Sequence, residues 1–145
     1  MRNKFAIAAI LFGLHFCTGQ EHISWQHLAD VSFTDKYFPS VDQLLLYPTF
    51  GQDVKKLEGK EITLSGYFLN ISPEDDLYIL SKNPMAACFF CGMAGPETTV
   101  ELHFKKKPNF YTDDIITVTG TLSLNSKDVT HLNYILDNCT AVKAK

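Results

Sequence analysis

From residue 58 onward, apolar and polar positions alternate in several short runs separated by turns and loops. In Glu61-Ile62-Thr63-Leu64-Ser65-Gly66-Tyr67-Phe68 the period of two puts Ile62, Leu64, Gly66 and Phe68 on one face, as in a half-buried strand. Gly66 in mid-strand marks a bulge or bend. Ser72 to Asp76 reads as a turn and Leu77 to Leu80 as a second strand. Thr99 to Phe104 alternates strictly until Lys105-Lys106-Lys107-Pro108 stops it. Asp113 to Gly120 repeats the chemistry of Gly59 to Gly66, a polar lead-in followed by I-T-[LV]-[ST]-G. After a turn at Asn125 to Asp128, Asn133 to Cys139 forms the last strand. Five short strands, two of them matched and glycine-bent, predict a mainly β fold. The arrangement that suits them is a small five-stranded OB-like barrel, in which a coiled first strand pairs with both the second and the fourth. The alternative is an open β-sandwich.

The pattern is less regular before residue 58. Glu21 to Thr34 alternates except at His27 and Leu28, so an extended segment fits it as well as a helix does. Trp25 is expected to anchor this segment on the core. Val41 to Leu46, between Pro39 and Pro48, suits a short piece of strand or helix, and Val54 and Leu57 suit one buried helical turn. Residues 20–55 thus read as an N-terminal extension packed on a barrel domain of residues 56–145.

The first 19 residues read as a targeting signal. Arg2 and Lys4 precede an apolar run from Phe5 to Phe16, and small residues at Cys17 and Gly19 suit cleavage near Gly19. The run is too short for a stable membrane span, and no later segment supplies a transmembrane helix. Phe16 is bulkier than the small residue that lipidation of Cys17 requires, which disfavours an anchor there. The expected location is periplasmic or secreted.

The chain has 13 basic and 16 acidic residues, and cleavage would remove Arg2 and Lys4. An acidic exported chain is a poor binder of phosphate backbones, so nucleic acid is not an expected partner. Loss of Cys17 would leave three cysteines: Cys88, Cys91 and Cys139.

Two of these thiols form the most specific motif in the chain, Cys88-Phe89-Phe90-Cys91-Gly92. Thiolates at i and i+3 can face one ion, and a following glycine lets backbone N–H groups approach the sulfurs. Zinc and copper are the metals this chemistry suits, with Cys139 and His103 as the further ligands, although no second C-x-x-C completes the set. The same pair could serve in thiol-disulfide exchange, or one member could form a structural disulfide with Cys139. Gly92 rules out the C-x-x-C-H pattern of haem attachment. Glu97, after Gly95-Pro96, suits a ligand, a base or a turn carboxylate. His103 falls on the polar face of its strand, and the acidic turn Glu74-Asp75-Asp76 lacks calcium-loop spacing. No Ser-His-Asp set, phosphate-cradling glycine loop or paired-carboxylate signature accompanies the cysteines, so a non-enzymatic module is favoured over an enzyme.

Three stretches together carry a resemblance: Leu57 to Tyr67, Tyr78 to Leu80, and Ala87 to Glu97 with its C-F-F-C-G-x-A-G-P-E loop. They are similar to uncharacterised exported proteins of Bacteroidetes-type bacteria. More distantly they resemble a bacterial periplasmic family of unknown function, whose histidine and proline run after the cysteine is replaced here by Phe90, Cys91 and Gly92. The resemblance implies an OB-like barrel in the periplasm and points to Cys88, Cys91, Pro96 and Glu97. It lends no catalytic residue. The expected function is a binding module that uses the Cys88–Cys91 loop to hold a soft metal ion or to contact an envelope transport system or other periplasmic protein. A thiol-disulfide exchange protein and a ligand-free structural module are the alternatives.

Overall fold

The computed structural model describes residues 19–144, so the expected signal segment and Cys17 lie outside the described residues. The chain begins with β1 (Glu21–His22), α1 (Trp25–Leu28), β2 (Val31–Phe38), β3 (Gln43–Phe50) and α2 (Gln52–Lys55). It continues through β4 (Glu61–Ser72), β5 (Leu77–Ser81), β6 (Thr99–Phe104), β7 (Ile115–Leu124) and β8 (Tyr134–Lys143).

Strands β4 to β8 close a five-stranded barrel in the order β4-β5-β6-β8-β7, with β7 returning to β4. Only the β6–β8 pair of the barrel is parallel. This is the OB-like barrel expected from the strand pattern, and closure excludes the open sandwich. β1 adds to it as one extra strand, parallel to β4.

Closure depends on β4 serving two neighbours. Residues 61–67 pair with β7 and residues 67–72 with β5, so Tyr67 faces both Ser81 and Ile115. Gly66 stands at this handover. A Cβ there would lie 2.6 Å from the Ser81 carbonyl oxygen and 2.9 Å from the Trp25 ring, so only glycine lets the strands approach.

The barrel interior is the alternating apolar set: Ile62, Leu64, Phe68, Tyr78, Leu80, Val100, Leu102, Ile116, Val118 and their neighbours. Phe68 stacks on Tyr78 at 5.7 Å and meets Phe110 edge-on at 5.6 Å. These rings are therefore part of the core.

The segment before β4 resolves the ambiguity of its sequence by being both helical and extended. Ser24 caps the single turn of α1, and the chain then enters the β2–β3 hairpin. The hairpin base is closed by the Gly51 N–H donating to the Asp30 carbonyl at 2.8 Å. Val54 and Leu57 are buried as that spacing predicted. Leu28 reaches the core too, and its carbonyl accepts a 2.7 Å hydrogen bond from the buried Tyr134 hydroxyl. Trp25 packs against the core and donates to the Ser65 carbonyl at 2.9 Å.

At one point β8 carries one more residue than the stretch of strand on either side of it. Between Leu136 and Cys139 it advances three positions, while β6 advances two, from Leu102 to Phe104. Against β7 the same excess appears opposite Thr119 to Thr121. Asn138 takes up the extra residue at φ 57°, a left-handed conformation that asparagine tolerates better than most residues. The resulting bulge reverses the inward-outward alternation of β8. Cys139 consequently points into the core, beside Gly120, where a Cβ would meet its sulfur at 3.2 Å.

Candidate metal centre

Outside the barrel, a second row of side chains crosses β4, β5 and β6. Leu69 pairs with Ile79, and Ile79 with Glu101. Leu69 and Ile79 are buried although they face away from the core, because residues 82–98 fold back over them. Three short 3-10 turns, at residues 85–87, 89–91 and 96–98, shape that covering segment. Cys88, Leu69 and Ile79 form a satellite cluster on which Tyr67, Ile71, Met85 and Leu132 pack.

Glu101 continues this row and is a carboxylate with 4% exposure. A buried carboxylate is costly unless its oxygens find donors. Oε2 accepts the Leu132 N–H at 2.9 Å. Oε1 faces two imidazoles, His103 Nε2 at 2.8 Å and His131 Nδ1 at 2.7 Å. His103 lies two residues along β6 and so on the same face, while His131 comes from the β7–β8 connection. The β8 bulge supplies a fourth member: Asp137, whose Oδ1 is 2.7 Å from His103 Nδ1. Ser123 donates to the other Asp137 oxygen at 3.0 Å, which fixes the carboxylate in turn.

The electrostatics follow from these partners. Burial works to raise the Glu101 carboxyl, but the Leu132 N–H and the two imidazoles outweigh it and hold the group below its ordinary range. Burial likewise works to lower His103, and the carboxylates of Glu101 and Asp137 outweigh it and raise the imidazole.

Glu101, His103 and His131 present one ligand atom each, all within 4.8 Å of one another, and among the described residues they are the only such group of three. They line a groove of about 810 Å³, with the acidic turn Glu74 to Asp76 on one rim and Lys105 to Lys107 on the other. Lys107 ties the rims by donating to the Pro73 carbonyl at 2.9 Å. In OB-type barrels the face of the second and third strands, flanked by the first and last turns, is where ligands commonly bind. β5 and β6, with the β4–β5 turn and the β7–β8 connection that carries His131, make up that face here.

The ligand set expected from sequence is not brought together. Cys88 is buried in the satellite cluster, Cys91 is exposed beside it, and Cys139 is in the barrel core, its thiol donating to the Leu136 carbonyl at 3.0 Å. Burial pushes the Cys139 thiol up to about 12, which suits a packed core residue. His103 belongs with Glu101 rather than with any thiol. Its polar-face position was legible, but it is held by two carboxylates and not merely solvated. Glu97 is half-buried and folds back over Gly95, and Pro96 opens the third 3-10 turn; neither joins the cluster.

The three described cysteines are free thiols. Burial and the neighbouring Cys88 push the Cys91 thiol up, away from the thiolate form. Sequence reasoning singled out neither Glu101 nor His131. The available signal was the E-x-H spacing on a strictly alternating strand. Comparison of the chain with protein-family models, curated protein sequences and solved structures finds no match in any of the three.

Proposed function

We propose that this protein is an exported binding module that holds a divalent transition-metal ion, zinc first among them, through Glu101, His103 and His131. The observation that carries the reading is the orientation of His103. Its Nδ1 is engaged by Asp137, which leaves Nε2 aimed at the point where Glu101 Oε1 and His131 Nδ1 converge. A carboxylate behind a ligating histidine is the usual outer support of such sites, because it fixes the ring and raises its basicity.

The donor set fits the metal class. Two imidazoles and one carboxylate suit zinc and its neighbours in the first transition row. With bonds of about 2.0–2.1 Å, a tetrahedral ion holds its ligand atoms about 3.3 Å apart, so two hydrogen bonds need to open by roughly 0.6 Å. Three protein ligands leave a fourth position on the groove side for water or a small ligand. The targeting signal expected in the first 19 residues would put this chemistry in the cell envelope, in service of a transport system or other periplasmic protein.

The competing reading is a metal-free latch, in which Glu101 only holds the β7–β8 connection against β6. Titration of the reduced full chain with Zn(II) and Co(II) separates the two. The expected result is one equivalent per chain, lost in His131→Ala, with cobalt bands that lack sulfur-to-metal charge transfer. No uptake, or uptake that survives His131→Ala, refutes the proposal.

A further inference from the structure

A second group of soft donors lies on the same outer face but takes no part in the histidine cluster. Cys88 and Cys91 are joined by a single 3-10 turn, in which the Cys91 N–H donates to the Cys88 carbonyl at 3.1 Å. Gly92 ends that turn at φ 71° with open space around its Cα, so glycine is needed there for the conformation rather than for room. The two cysteines are thus held one turn apart, Cys88 inside the outer cluster and Cys91 exposed at its edge. Cys91 is exposed and its thiol rests 3.2 Å from the Met85 carbonyl, while the Met85 side chain packs on the cluster that contains Cys88.

The surroundings restrict what such a pair can hold. Among the described residues, no histidine or carboxylate joins these thiols to make a group of three. Zinc takes at least three protein ligands, so for zinc the pair is an incomplete site. Monovalent copper accepts two thiolates in line, with or without a thioether beside them, and soft sulfur ligands select for it. For that ion the same pair is complete. The apolar packing of Leu69, Ile79 and Leu132 around Cys88 excludes water from one side and leaves Cys91 as the point of entry.

We propose that Cys88 and Cys91 form a separate site for monovalent copper, with the Met85 thioether as a third donor. Binding exchanges two S–H bonds for two Cu–S bonds and releases both thiol protons to solvent; no electron is transferred. The site is independent of the histidine cluster, so the two can fail separately.

The test is anaerobic titration of the reduced full chain with Cu(I), in competition with the chelator bicinchoninate. The expected result is one equivalent of copper retained per chain. Cys91→Ser is the decisive variant because its side chain is exposed and the fold does not depend on it; it should lose that equivalent. His131→Ala should keep copper while losing zinc, and Cys139→Ala should also keep copper. Met85→Leu should bind more weakly than wild type while keeping the stoichiometry. Transfer of all copper to the chelator by the wild-type chain overturns the proposal, as does retention of a full equivalent by Cys91→Ser.

Discussion

The Glu101 carboxylate accepts the Leu132 N–H at 2.9 Å, while the Leu132 side chain packs on the cluster that contains Cys88. One residue of the β7–β8 connection thus joins the histidine cluster to the cover over the outer face. Glu101→Gln leaves an amide nitrogen against two imidazoles in a buried setting. It is expected to cost about 1–3 kcal/mol. Urea unfolding of the metal-free protein measures this, and hydrogen exchange should show the loss concentrated at residues 129–133.

Asp137 would not touch the ion, yet it sets the ring of His103. Asp137→Asn should weaken zinc binding by roughly 10–100-fold while leaving one site per chain. Competition with a chromophoric zinc chelator reads the affinity. An unchanged constant would remove Asp137 from the support of the site.

The pH dependence of the metal-free protein follows from two opposed shifts. Glu101 is held below its ordinary value of 4.5, so its contribution is present above that value and is lost as pH falls through the lowered one. His103 is raised above its ordinary value of 6.5, so its contribution is present below 6.5 and is lost as pH rises through the raised value. Both act together between those two values, where metal-free stability should be greatest. Zinc should reverse the alkaline side, because its ligands bind deprotonated. Melting curves across this range, with and without zinc, should therefore diverge as pH rises.

Gly66→Ala tests the closure of the barrel. The added methyl meets the Ser81 carbonyl oxygen at 2.6 Å, and neither strand can withdraw without breaking a ladder. A loss of about 1–3 kcal/mol is expected, with the urea m-value unchanged.

Tyr134→Phe tests how the N-terminal extension is fastened. It deletes the donor to the Leu28 carbonyl and leaves that oxygen buried without its partner. The expected cost is about 1–3 kcal/mol. Amide exchange should quicken first in residues 25–28, before the barrel strands respond.

Local chemistry determined most of the barrel. Alternation in 61–68 and 99–104 fixed which side chains point inward, since side chains of a strand alternate faces whatever the strand pairs with. The same rule placed Glu101 and His103 on one outer face. It could not supply His131, which lies in an irregular connection 30 residues later and reaches Glu101 only because that connection folds back over β6. Nor could it place Cys139. Strict alternation from Ile135 and Asp137 would put that thiol outside, within range of a site, and the single extra residue at Asn138 turns it into the core instead. A one-residue slip reverses every face beyond it. Its position is set by pairing with two neighbouring strands at once, a condition that exists only when the barrel is closed.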